Sequence, residues 1–364
     1  MSEAAPDPFL KLTARGRGAI SNLSGRFESY QREAFDDGWL EGEAPPPLRT
    51  TVSADHARTV ISRNDSPDIA FDQSINPYRG CSHACIYCYS RPSHGYVGLS
   101  PGLDFETRLF YKQDAAKLLE RELSRPGYLC KPINMGSNTD PYQPIERRMR
   151  VTRDILEVLA RCRHPVTIIT KGALVLRDLD LLAQLARDNL VSVGISITTL
   201  DADLKRAMEP QAASPRARLE AVRALSQAGV PAGVLVAPVI PALTDHEMES
   251  ILQAGAEAGA RWATYILLRL PYEVKDLFQE WLAAHYPDRA GHVMSLVRQM
   301  RDGRDNDPHF GSRMRGTGLF AELLRSRFHI ACRRLGLNTQ RAAGLEVTLF
   351  KPPREKSPQL RLNF

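Results

Sequence analysis

Between residues 72 and 267, short runs rich in β-branched residues alternate with longer runs of helical period, and this alternation restricts the possible folds more than any other feature of the chain. Strands are expected at 72–77, 133–136, 166–170, 191–197, 233–237 and 263–267, with helices at 115–123, 152–161, 179–189, 217–228 and 245–258. Six strands separated by helices argue for a parallel sheet, because a parallel pair needs a long crossover. Short right-handed crossovers then curl the sheet into a partial parallel (β/α)6 TIM-like barrel of the α/β class, with ligands at the C-terminal ends of the strands.

The flanks read differently. Residues 1–65 carry two Gly-, Arg- or Pro-rich patches, Arg15-Gly16-Arg17-Gly18 and Pro45-Pro46-Pro47, without a sustained apolar period, and are expected to form an irregular N-terminal arm. The barrel is expected to span 66–271. Helical patterns at 276–285, 293–301 and 319–335 then make a C-terminal cap over 272–350, and 351–364 form a Pro-punctuated extended tail. With 43% hydrophobic residues in 364, the core needs no disulfide staples. No run of 18 or more apolar residues is present and the first residues lack a secretory pattern, so a soluble, cytoplasmic protein without membrane partners is expected.

The formal charge of +6 has a location. Between Asp288 and Arg341 there are 11 Arg and no Lys against 5 acidic residues, so this segment carries the whole excess. Together with Phe310, Phe320 and Phe328 it has the composition of a surface that tracks phosphates and stacks bases, and equally that of a solvated helical cap whose arginines pair with the barrel's acids.

Six cysteines are too few and too unevenly spaced for a disulfide framework, but Cys81, Cys85 and Cys88 fall within eight residues, directly after the first expected strand. Spacings of four and three let one loop wrap three thiolates around a cubane cluster and leave one iron open to a ligand. The alternative is a zinc knob completed by His83 or His94. Other strand ends carry polar groups. They are Ser137, Asn138 and Asp140 after the second strand, Lys171 after the third and Ser196 at the fourth, while Ala237 ends the fifth. The run Ser137-Asn138-Thr139-Asp140-Pro141 also suits a plain turn, and Ala237 a plain core position.

Cys81, Cys85, Tyr87 and Cys88 match the Cys-x3-Cys-x-aromatic-Cys hallmark, and here the chain resembles the radical S-adenosylmethionine superfamily. The resemblance implies a [4Fe–4S] cluster whose open iron chelates S-adenosylmethionine, with an external electron donor driving cleavage to a 5′-deoxyadenosyl radical. The strings Asn64-Asp65-Ser66-Pro67-Asp68, Ser74-Ile75-Asn76-Pro77-Tyr78-Arg79-Gly80-Cys81 and Thr139-Asp140-Pro141-Tyr142-Gln143-Pro144 are similar to the branch related to spore photoproduct lyases, which repair a thymine lesion in DNA. By that resemblance Tyr87, Ser137, Asn138, Asp140, Lys171, Ser196 and Ala237 contact the cofactor, and Tyr87 and Tyr89 match tyrosines that pass hydrogen. Ser137 stands where the lyases carry a hydrogen-donating cysteine; Cys130 is the candidate donor here if its loop folds inward, and otherwise reads, like Cys162 and Cys332, as a buried free cysteine without a role. A lyase- or transferase-type enzyme acting on a nucleic-acid base is expected, the alternatives being a peptide or small-metabolite substrate or a non-catalytic iron–sulfur protein. The final residues, Gln359-Leu360-Arg361-Leu362-Asn363-Phe364, resemble the short motif that docks bacterial repair proteins on the sliding clamp, and would serve equally as a terminal strand.

Overall fold

The computed structural model describes residues 16–28, 48–339 and 344–353; the terminal motif at 359–364 and Arg341 lie outside them. Among the described residues there are ten strands: β1 (Thr51–Ala54), β2 (Ile61–Arg63), β3 (Gln73–Ile75), β4 (Tyr78–Arg79), β5 (Arg108–Tyr111), β6 (Ile133–Met135), β7 (Val166–Thr170), β8 (Val191–Ser196), β9 (Ala232–Val239) and β10 (Trp262–Leu267). The main sheet runs β10-β9-β8-β7-β6-β3-β2 and is open at both ends. Its six strands from β3 to β10 are parallel and follow one another in sequence, as the alternation requires. β2 pairs antiparallel with β3 at one edge, which makes the sheet mixed. A small second sheet, β1-β5-β4, lies apart from it.

Two of these strands, β1 and β2, fall in the segment expected to be irregular. Each is three or four residues long with exposed or half-buried side chains, so its strand character comes from pairing with another strand rather than from its own pattern.

Helices fill the crossovers: α1 (Ala115–Leu123), α2 (Val151–Arg161), α3 (Leu179–Arg187), α4 (Ala202–Met208), α5 (Pro215–Gln227) and α6 (Met248–Glu257). The apolar faces of all but α4 join Ile133, Val166, Ile168, Val193 and Val234 of the strands in one core. Trp262 lies across Gly233 at the sheet edge, where a Cβ on Gly233 would sit 2.1 Å from the indole, so the close approach requires glycine. Beyond β10 come α7 (Val274–His285), α8 (Pro287–Gln299) and α9 (Gly318–Arg334). α7 and α8 build a second core with Ala19, Cys85, Ile86, Tyr87, Leu204 and Met208, so the cysteine loop sits between the strand ends and the C-terminal helices. Among the described residues no helix is long and apolar enough to cross a membrane.

Candidate active site

The cysteine loop leaves β4 through Gly80 (φ +72°), where a side chain would strike Leu109 and the Phe105 carbonyl. Backbone bonds then fold it tightly: Cys81 N–H donates to Phe105 O (2.9 Å), Ile86 N–H to Met208 O (3.0 Å) and Cys88 N–H to Cys85 O (3.2 Å). The buried Arg91 guanidinium donates to Cys85 O (2.9 Å), Pro101 O (3.1 Å) and Gly102 O (3.0 Å) and is ion-paired with Glu106, which also accepts the N–H groups of Gly18 and Ala19. All three thiols are free; Cys81 and Cys85 are buried and Cys88 is half-buried. Burial, reinforced by Asp140, pushes the Cys81 thiol well up, and burial beside Glu209 pushes Cys85 to about 12.

The donor set fits a cluster. A tetrahedral zinc knob would need a fourth ligand from His83 or His94. The histidines that would complete such a knob are engaged elsewhere: His94 Nε2 lies 2.9 Å from Arg108 O, and His83 Nδ1 lies 3.2 Å from the Asp140 carboxylate. Three thiols spread around one loop suit a polynuclear centre, which spans a wider cage.

The loop after β6 is stitched to the cysteine loop. Thr139 Oγ1 donates to Gly80 O (2.8 Å), Gln143 Nε2 donates to the same carbonyl (3.2 Å), and Gln143 Oε1 accepts Ser82 N–H (2.9 Å). Asp140 accepts from Tyr142 N (2.8 Å), Thr170 Oγ1 (2.6 Å) and Lys171 N (2.7 Å), so its carboxylate ties this loop to the end of β7. Burial would raise Asp140, but His83 and these donors overcome it and hold it at about 2. Ser137 and Asn138 lie beside Asn76, whose amide bonds Ser137 Oγ (3.1 Å) and Asn138 N–H (2.8 Å).

At the neighbouring strand ends, Lys171 Nζ donates to Ser196 Oγ (2.9 Å) and approaches Ala237 O (3.4 Å), while Ser196 Oγ donates to Ala237 O (3.0 Å). Three positions far apart in sequence thus meet at one point. Below them lies a buried network that the sequence reading missed. Tyr87 hydrogen-bonds Glu209 and lies 3.1 Å from Thr198 Oγ1; Thr198 donates to Glu209 (2.7 Å); and Arg218 is ion-paired with Glu209 and donates to Ser196 O (2.9 Å). Burial alone would raise Glu209, yet Arg218 and Lys171 hold it at about 2. Glu209 closes α4, a seven-residue helix absent from the expected elements, whose visible signal is the Asp201 cap accepting Asp203 and Leu204 N–H groups.

The two tyrosines take different positions. Tyr87 is locked against Glu209, whereas Tyr89 is 48% exposed and its hydroxyl donates to Ser137 O. Cys130 is not brought to the site. It precedes the N-terminal end of β6, where Gln73 bonds Leu129 O and Lys131 pairs with Asp72, and the cysteine loop lies at the opposite end of the strands.

The C-terminal arginines divide into two groups. Arg327 pairs with Glu249, Arg298 with Asp305 and Arg313 with Asp68, while buried Arg301 donates to Ser312 O and Leu268 O. Arg289, Arg304, Arg315, Arg325, Arg333 and Arg334 are exposed.

Fold and site together define an α/β protein that gathers three thiols at the C-terminal ends of parallel strands. The Radical SAM superfamily model matches residues 75–254. An uncharacterized protein of Mycobacterium tuberculosis is 39% identical over 233 residues, which cover 64% of this chain and 68% of that one. An uncharacterized protein of Methanocaldococcus jannaschii is 31% identical over 173 residues, 48% of this chain and 62% of the other. Among solved structures, spore photoproduct lyase complexed with dinucleoside spore photoproduct shares the fold with a TM-score of 0.58 at 17% identity, over 79% of this chain and 80% of that one. The chain belongs to the radical SAM superfamily, whose enzymes use a [4Fe–4S] cluster and S-adenosylmethionine.

Proposed function

We propose that this radical SAM enzyme holds its cluster on Cys81, Cys85 and Cys88, holds S-adenosylmethionine against Ser137, Asn138, Lys171, Ser196 and Ala237, and acts on a modified or damaged base of nucleic acid. When bound, the cluster and cofactor supply an electron and a 5′-deoxyadenosyl radical for hydrogen abstraction. The chain's own groups position and enclose that chemistry. Lys171 offers a cation and Ser196 a hydroxyl, while Asp140 and Tyr87 serve by fixing the loops around them. Replacing Lys171 with alanine should weaken S-adenosylmethionine binding to the reconstituted protein by more than about tenfold, the worth of a charge-assisted hydrogen bond. Unchanged equilibrium binding with the cluster intact would reject the assignment.

The observation that supports a nucleic-acid substrate is the distribution of exposed rings. Among the described residues the exposed Phe and Tyr rings are Phe27, Tyr89, Tyr96, Tyr272 and Phe310, and Tyr89 directly follows Cys88 of the cysteine loop. Four carry a guanidinium: Arg26 lies 4.8 Å from the Phe27 ring and 3.6 Å from that of Tyr272, Arg269 is 5.6 Å from Tyr89, and Arg313 is 4.3 Å from Phe310. Phe27 packs on Tyr96 at 5.2 Å. Aromatic faces interleaved with arginine are how single strands and unstacked bases are held.

Tyr272 provides the test. It is 64% exposed and its φ is +52°, a left-handed backbone that suits glycine. Replacing Tyr272 with glycine should therefore leave Tm unchanged or higher, while affinity for a single-stranded oligonucleotide falls about 5- to 100-fold, the worth of one stacked base. Wild-type protein that prefers no single strand over a polyanion control across a salt titration would reject the nucleic-acid reading and leave a peptide or metabolite substrate.

A further inference from the structure

Arg269 stands out among the buried and half-buried cations around the site. Directly after β10 it turns toward Tyr89, half-buried, and its Nε has no hydrogen-bond partner. The one polar contact of its guanidinium among the described residues is Nη1 to Met314 Sδ at 3.6 Å, a weak acceptor. The carboxylates whose charge reaches it are already occupied. Asp68 accepts from Arg313 and from Gly311 N–H (2.6 Å), and Asp307 accepts from Ser312 and His309. Arg313 donates also to Ser66 Oγ (2.7 Å), so its charge is matched where that of Arg269 is not. Burial and the neighbouring Arg313 both disfavour the Arg269 cation.

A half-buried guanidinium whose Nε is buried without an oxygen acceptor is costly in the free protein, and such a group is retained where a ligand anion completes it. We propose that Arg269 anchors a phosphodiester of the substrate strand, with Tyr89 offering its ring to the adjacent base and Phe310, held under Arg313, lining the path beside it. The inference rests on the nucleic-acid reading above and names the side chain that takes the phosphate. Arg269 is chosen over Arg301 because the latter already donates to Ser312 O (3.0 Å) and Leu268 O (2.8 Å). It is chosen over Lys171 because that ammonium is turned inward to Ser196.

The experiment compares wild-type protein with Arg269→Met, which keeps an apolar stem of similar length and removes the charge. Four readouts are taken: affinity for a single-stranded oligonucleotide at several salt concentrations, affinity for the same strand with one neutral methylphosphonate linkage, affinity for S-adenosylmethionine, and Tm. For Arg269→Met we expect oligonucleotide affinity about tenfold lower, a salt slope shallower by about one, unchanged cofactor affinity, and a Tm equal or a few degrees higher. Wild type should discriminate against the neutral linkage at one position along the strand, and the variant should not.

The alternative outcomes separate the two claims. Wild-type binding with an unaltered slope in Arg269→Met overturns the phosphate assignment and leaves the nucleic-acid reading standing. Loss of cofactor affinity with oligonucleotide affinity intact overturns it in favour of the cofactor carboxylate. A Tm several degrees lower with oligonucleotide affinity intact overturns it in favour of a purely structural arginine. No oligonucleotide binding by the wild type overturns both claims.

Discussion

Replacing any one of Cys81, Cys85 and Cys88 with alanine is expected to reduce anaerobically reconstituted iron from about four atoms per chain to background and to abolish reductive cleavage of S-adenosylmethionine. The effect should be all or none. The three thiols occupy one loop, and the histidines nearest in sequence, His83 and His94, lie against Asp140 and the Arg108 carbonyl. Cys130, Cys162 and Cys332 serve as controls, since the first lies beyond the opposite end of the strands and the other two pack in the main core. Iron and acid-labile sulfide measured on all six single variants give the answer, and a Cys85→Ala protein that keeps four irons would refute the ligand set.

The second large effect concerns folding. Arg218→Met should destabilise the protein by about 3–5 kcal/mol in denaturant titrations, because it leaves the buried Glu209 carboxylate without its ion-pair partner. The double variant Glu209→Gln/Arg218→Met should recover much of the loss. A pH dependence follows from the same pair. Glu209, held at about 2 against an ordinary 4.5, and Asp140, held at about 2 against 3.8, are both depressed in the folded state. Their stabilisation is therefore complete above the unfolded values, and it drains away as pH falls from about 4.5 toward 2. In Glu209→Gln the acid limb should be shallower, and an identical limb would remove Glu209 from the account.

The strands were legible because one buried and one half-covered face favour continuous β-branched runs such as Val166–Thr170, whose ends agree with the expected limits. The edges were not. β1 and β2 have no buried face of their own and exist through pairing with β5 and β3, which sequence period cannot reveal. The thiols were legible from spacing alone, and Lys171, Ser196 and Ala237 from their places at strand ends; the structure brings those three together. Glu209 and Arg218 were invisible for a different reason. Their partnership joins a short, capped helix to the following one, and a lone charge near a proline reads locally as solvated surface. Arg269 could be placed by sequence at a strand end, but its missing acceptor is a property of space, not of order along the chain.

The segment at residues 16–28 has a consequence in time. Gly18 lies against the cysteine loop so closely that a Cβ would fall 1.8 Å from Ala84 O, and Ser21 donates to Glu280 of α7 (2.6 Å), 259 residues further on. A ribosome adding roughly 5–20 residues per second needs about 10–50 s to make that stretch. Throughout that interval the earliest part of the chain has no α7 to close against, and the second core around Cys85 and Tyr87 lacks half its walls. From the synthesis of Cys88 onward the growing chain therefore carries its three thiols without the cover that α7 supplies, and emergence of α7 ends the interval. Moving the coding order by circular permutation, so that α7 is made before the cysteine loop, would remove that interval.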